Sequence, residues 1–214
     1  MKTQRGIMRI NLPNQITIGR LVLAIVFFTL LTWYDHTSPN TRLLDGCLVI
    51  FVIAALTDIL DGYLARRQNQ VTSLGRVLDP FVDKVLVCGA FVLFAGPAFA
   101  DPETRVAVTG VAPWMVVLII GRELLVSSLR GFTESQGQAY AASKSGKAKM
   151  IVQSITVPVL LLMVAHPQLL GEAASERVKL ISVWITVVVT VASMSSYLLR
   201  SKHILREATR DGGS

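Results

Sequence analysis

With 214 residues, 52% of them hydrophobic and 16% charged, and a mean hydropathy of +0.54, the chain is too apolar for a soluble domain of this size. A net charge of +7 would suit a nucleic-acid binder if the basic residues clustered on a polar domain, but they are spread between apolar runs. Cys47 and Cys88 both lie inside such runs without CxxC or Cys/His spacing, which argues against a zinc site or a disulfide framework and leaves them as packing residues.

The chain opens with a segment, residues 1–15, in which Ile7, Met8 and Ile10 alternate with Lys2, Arg5 and Arg9. This pattern fits a short helix lying on the membrane, or equally a tail attracted to anionic lipid. The apolar run that follows leads into Phe27 to Tyr34 without a small-residue cleavage site, so it reads as a retained span and not as a signal peptide. A hydrocarbon layer about 30 Å thick takes roughly 20 residues at the helical rise. Six runs meet that length, at 16–34, 43–65, 80–100, 111–129, 148–165 and 178–199. Turn formers punctuate them: Asp35 to Asn40, Gly96-Pro97, Asp101-Pro102-Glu103 and His166-Pro167. Backbone groups inside lipid must be satisfied within the segment, and the runs are too long for barrel strands, so helices are expected.

Six spans put both termini on the same side as the second and fourth loops. That side holds Lys2, Arg5, Arg9, Arg66, Arg67, Arg76, Arg130, Lys144, Lys147, Lys149, Arg200, Lys202, Arg206 and Arg210, against Arg42, Arg105, Arg177 and Lys179 opposite. The imbalance places the termini in the cytoplasm. The expected architecture is therefore an all-α integral membrane protein of six transmembrane helices, one domain over 1–214, with a cytoplasmic tail at 201–214.

The chemistry-bearing stretch runs from Asp58 through Asp61 and Gly62 to Arg66, then from Gly75 to Asp79 and Asp83. Spacings of three and four put each pair of aspartates on one helix face, and the short connection brings the two helices together as antiparallel neighbours at their cytoplasmic ends. Each carboxylate costs about 2.5–3.5 kcal/mol at a span centre and less near the interface, and four close together repel. Divalent cations relieve both penalties, and four carboxylates can hold two of them. Pairing with Arg66, Arg67, Arg76 and Lys84 is the competing account. Three further basic residues, Arg20, Lys84 and Arg122, fall within or at the edge of spans.

Asp58, Asp61, Gly62, Ala65, Arg66, Gly75, Asp79 and Asp83 together match D-x-x-D-G-x-x-A-R-x(8)-G-x-x-x-D-x-x-x-D. By this pattern the chain resembles the CDP-alcohol phosphotransferases. Asn11 to Asn14 leading into Thr17 and Arg20, the stretch Gly121 to Arg130, and Ala142 to Lys149 are similar to the bacterial phosphatidylglycerophosphate synthase branch. The resemblance implies six helices around a cytoplasm-facing polar cavity, a homodimer in the inner membrane, and two metal ions, Mg²⁺ or Mn²⁺. It implies Asp58, Asp61 and Asp79 as metal ligands and Asp83 as ligand and general base. CDP-diacylglycerol would be held by Asn14, Thr17, Asp61, Gly62, Arg66, Gly75 and Asp79. The acceptor would be glycerol 3-phosphate, with Arg122, Arg130 and Lys147 as candidates for its phosphate. No nucleic acid is expected as a partner. Inositol phosphate, serine or phosphatidylglycerol are rival acceptors within the same chemistry. An ion or metabolite transporter is the rival from another class, since intramembrane carboxylates also mark ion pathways.

Overall fold

The computed structural model describes residues 12–68, 73–135 and 144–211, with side chains described for 15–58, 81–135 and 145–199. The expected interfacial segment lies mostly outside the described residues. Among those described, the chain forms six α-helices: α1 (Leu12–Thr32), α2 (Thr41–Gln68), α3 (Ser73–Phe94), α4 (Pro113–Ser135), α5 (Lys144–Ala165) and α6 (Glu172–Asp211). Short 3₁₀ turns at Pro97–Phe99 and Pro167–Leu169 lie in the connections after α3 and α5.

Local chemistry sets several of the helix ends. Asn40 caps α2, its Oδ1 accepting from the Leu43 N–H at 3.2 Å. α4 starts on Pro113, whose missing N–H costs nothing in a first turn. α6 follows Gly171, which sits at φ +80, and carries Glu172 in its first turn, where the helix dipole favours an acid. Pro158 lies inside α5, which continues through it. The apolar run at 80–100 is not one helix: α3 stops at Phe94, and Gly96 with Pro97 turns the chain. A small antiparallel bridge, Ala100 with Ala107, then closes a turn around Asp101. The Asp101 carboxylate accepts from the backbone N–H groups of Thr104 and Glu103, and its pKa lies below the usual carboxylate value, chiefly through the Thr104 bonds. At the other limit, α6 runs well beyond residue 199, to Asp211.

α1 packs on α2 and α3, α5 on α2 and α6, and α4 on α3 and α6. At the end remote from the aspartates, aromatic rings close the bundle: Tyr34 stacks on Phe99 with centroids 4.6 Å apart, and Phe94 meets Phe99 edge-on at 5.4 Å. On the outside, large apolar side chains face outward, among them Val22, Ile53, Val117 and Val188. That inversion of the usual soluble pattern is what lipid contact requires. Among the described residues, three helices have a segment long and apolar enough to cross a membrane: Gln15–Thr32, Ser145–Ala165 and Glu172–Leu199. The other three carry charge within their apolar runs: Asp58 in α2, Asp83 and Lys84 in α3, and Arg122, Glu123 and Arg130 in α4.

α1 and α3 approach closely at Gly89, where an added Cβ would lie 2.4 Å from Cζ of Phe28. Gly89→Ala is expected to destabilise the bundle by about 1–3 kcal/mol, because the ring must move within packed surroundings. Phe28→Leu in the same background should recover part of the loss in a detergent thermal-unfolding assay. An unchanged unfolding temperature for Gly89→Ala alone would contradict the contact.

Candidate functional site

The end of α2 and the start of α3 bring the two described aspartates of the signature to the same end of the bundle. Asp58 is ion-paired with Arg20 of α1, whose side chain is 1% exposed while that of Asp58 is 35% exposed. Arg20 Nη1 makes this contact as an ion pair without hydrogen-bond geometry, and neither it nor Nε has a hydrogen-bond partner among the described residues. Asp83 is within electrostatic reach of Asp58 and Arg20 and also of Lys149 and Glu123. Thr17, one turn before Arg20 on α1, is buried. The side chains of Asn14, Asp61, Gly62, Arg66, Gly75 and Asp79 lie outside those described, although their backbones are helical, in α1, α2 and α3.

A second cluster of buried charge faces this one from α4, α5 and α6. Glu123 accepts a hydrogen bond from Arg122 Nη1 at 3.0 Å and is ion-paired with Lys149. All three residues are less than 10% exposed. The Arg122 guanidinium also donates to Ser193 Oγ, from Nε at 3.1 Å and from Nη2, and lies 5.4 Å from the centroid of the Tyr197 ring. Arg130, two turns further along α4, donates from Nη2 to the Tyr197 hydroxyl at 3.2 Å. Lys84, next to Asp83 on α3, donates to Ser127 Oγ at 2.6 Å, and Ser127 donates to the Glu123 carbonyl at 2.7 Å. The first of these bonds ties the aspartate-bearing α3 to the arginine-bearing α4, and the second fixes Ser127 on its own helix.

Of the expected phosphate-binding cations, Arg122 is buried in this cluster and Arg130 is half-buried at its edge. Lys147 is exposed; on α5 it is Lys149 that is buried. The reason is angular: two residues turn a helix by about 200°, so the two lysines point to opposite faces of α5. Lys149, Gln153 and Thr156 share one buried face. Opposite them stand Thr186, Thr190 and Ser193, with Gln153 donating to Thr190 at 3.4 Å and Thr156 paired with Thr186 at 2.9 Å. Sequence reasoning gave no role to Glu123, Lys149, Ser193 or Tyr197. A trace was present, since an acid beside Arg122 inside an apolar run needs a partner, but the partners lie on other helices.

The described carboxylates suit a hard divalent cation. Asp58 and Asp83 offer oxygen donors, are close enough to repel, and have Arg20 as the counter-charge at hand. Among the described residues no group of three or more metal-ligating side chains is present, and the other two aspartates of the signature fall outside that set.

Breaking a buried ion pair by removing one member costs about 3–5 kcal/mol. Glu123→Ala should therefore lower the stability of the detergent-solubilised protein by an amount of that order, leaving Arg122 and Lys149 uncompensated. Adding Lys149→Met should restore part of it. Simple additivity of the two losses in thermal unfolding would show that Glu123 and Lys149 are not coupled.

Residues 10–192 match the CDP-alcohol phosphatidyltransferase family. The chain is 34% identical over 205 residues to the CDP-diacylglycerol–glycerol-3-phosphate 3-phosphatidyltransferase of Bacillus subtilis, covering 92% of this chain and 97% of that protein. It is 33% identical over 197 residues to the protein of that name from Rickettsia bellii, covering 90% and 96%. It is likewise 33% identical over 202 residues to that from Sodalis glossinidius, covering 94% and 100%. The match spans the aspartate-bearing helices and the buried charge cluster of α4 and α5, and the chain belongs to the CDP-alcohol phosphatidyltransferase family.

Proposed function

We propose that the chain transfers the phosphatidyl group of CDP-diacylglycerol to the primary hydroxyl of sn-glycerol 3-phosphate, giving phosphatidylglycerol phosphate and CMP. The observation that carries this reading is the meeting of two unlike charge clusters at Asp83: carboxylates from α2 and α3 on one side, and buried cations from α4 and α5 on the other. A nucleotide-linked diphosphate needs the first. A phosphorylated acceptor needs the second, and the names of the relatives in Bacillus, Rickettsia and Sodalis specify that acceptor for those proteins.

The acceptor's oxygen attacks the lipid-linked phosphorus as the bond to the CMP oxygen breaks. The hydroxyl proton passes to the Asp83 carboxylate, and the electron pair of the broken bond leaves with CMP. Two divalent ions, Mg²⁺ or Mn²⁺, bound by Asp58, Asp61, Asp79 and Asp83, would supply charge neutralisation at the diphosphate and at the leaving group. Arg20 supports an anion at this place, because it is fully buried and its Nε has no hydrogen-bond partner among the described residues. Gly62, Arg66 and Gly75, with Asn14 and Thr17 near the cytidine, complete the donor pocket in this reading. Arg122, Arg130 and Lys149 form the acceptor pocket, with Lys147 at its exposed margin. The cavity opens to the cytoplasm of a six-span protein in the inner membrane, both termini cytoplasmic, and the protein works as a homodimer. The basic residues concentrated on one side support that orientation.

Purified protein supplied with CDP-diacylglycerol and Mg²⁺ or Mn²⁺ should release CMP when glycerol 3-phosphate is added and not when inositol phosphate or serine replaces it. Asp83→Asn should reduce the release at least a hundredfold, the scale of a lost general base. Release with another acceptor would overturn the acceptor assignment, and no release with any of them would overturn the reaction.

A further inference from the structure

Tyr197 is 2% exposed near the cytoplasmic end of α6, a helix that reads in the sequence as little more than an apolar run. It touches both arginines of α4 with different parts of one side chain. Its ring lies 5.4 Å from the Arg122 guanidinium carbon, and its hydroxyl accepts from Arg130 Nη2 at 3.2 Å. Arg122 and Arg130 are eight residues apart, about 12 Å along the helix axis, and share a face. Two long side chains so placed have many rotamers in common solvent and few when a rigid aromatic residue lies between them.

The remaining donors show what the arrangement leaves open. The Arg122 guanidinium is engaged at Nε and Nη2 by Ser193 and at Nη1 by Glu123. Arg130, held through Nη2, keeps a buried Nε with no hydrogen-bond partner among the described residues. A buried guanidinium N–H without an acceptor is costly and rare in a finished structure. An anion with several acceptor oxygens would satisfy it.

We propose that Tyr197 is a positioning residue for the acceptor pocket, locking Arg130 through its hydroxyl so that this guanidinium meets the phosphate monoester of the acceptor, while its ring holds the Arg122 charge in place beside it. This rests on the acceptor reading given above. In this proposal Tyr197 acts through Arg130, whose Nε, without a hydrogen-bond partner among the described residues, takes a phosphate oxygen. The selected ligand is a phosphate monoester in its dianionic form, predominant above the second phosphate pKa of about 6.

Steady-state kinetics of the full-length protein in detergent, with each substrate varied in turn, test the proposal. Tyr197→Phe keeps the ring and removes the acceptor for Arg130. The KM for glycerol 3-phosphate should rise about tenfold, the scale of one hydrogen bond to a charged group, with much smaller changes in kcat and in the KM for CDP-diacylglycerol. Inorganic phosphate, used as a competitive inhibitor against glycerol 3-phosphate, should weaken in parallel. Tyr197→Leu, which also removes the ring face from Arg122, should raise the same KM further. Equal changes for both substrates, or a fall in kcat alone, would make Tyr197 a packing residue and overturn the proposal. If Arg130→Ala raises the glycerol 3-phosphate KM while Tyr197→Phe leaves it unmoved, the pocket stands and the role of Tyr197 falls. A wild-type protein that shows no saturation by glycerol 3-phosphate overturns the acceptor reading, and this proposal with it.

Discussion

Charge inside an apolar bundle must be paired, and the pairing determines how these helices meet. Arg20 with Asp58 joins α1 to α2; Glu123 with Lys149 joins α4 to α5; Arg122 with Ser193 joins α4 to α6; Lys84 with Ser127 joins α3 to α4. Each link crosses between helices that apolar packing alone would let slide or rotate, because lipid tails are as apolar as the side chains themselves. A buried ion pair adds little to net stability compared with a well-packed apolar pair, but losing one partner is severe. The polar links therefore act mainly as register marks. They hold the helices in one relative rotation, and that rotation gathers the charged residues at one end of the bundle.

The two ends of the molecule divide the work accordingly. Away from the site, Tyr34, Phe94 and Phe99 close the bundle with stacked and edge-on rings, and His166 reaches Asp45 at 2.8 Å to connect the end of α5 to the start of α2. At the site end the interior is polar, and Asp83 lies where the carboxylate cluster and the cationic cluster come within electrostatic reach of each other. In the proposed reaction this junction lets a diphosphate and a phosphorylated alcohol approach one another in spite of their like charge. Each anion is neutralised by its own set of residues, and a general base stands between them.

The placement of the four aspartates on two successive helices was legible in the sequence because it is local. Asp58 and Asp61 lie on α2 and Asp79 and Asp83 on α3, as their spacing of three and four and the short connection led one to expect. The helical architecture was legible for the same reason, since each run is long and apolar within itself. The buried charge cluster of α4 and α5, with its polar partners on α6, was only partly legible. Arg122 stood out as a charge inside an apolar run, but its partners Ser193 and Tyr197 lie 71 and 75 residues away on a helix whose polar positions are spaced by four and three among apolar ones. The choice between Lys147 and Lys149 depends on the rotation of α5, which is set by packing against α2 and α6 and not by any local signal. The early end of α3 at Phe94 followed from Gly96 and Pro97, whose turn-forming chemistry outweighs the apolar character of the residues around them.

In the proposed reaction donor and acceptor meet in a single pocket, so that the phosphatidyl group passes directly from one oxygen to another. The stereochemical course at phosphorus tests this most directly. CDP-diacylglycerol made chiral at the lipid-linked phosphorus by sulfur substitution, turned over with glycerol 3-phosphate, should give product of inverted configuration, as one in-line displacement requires. Retention of configuration would mean two displacements through a covalent enzyme intermediate and would contradict the assignment of Asp83 as a base acting on the acceptor hydroxyl.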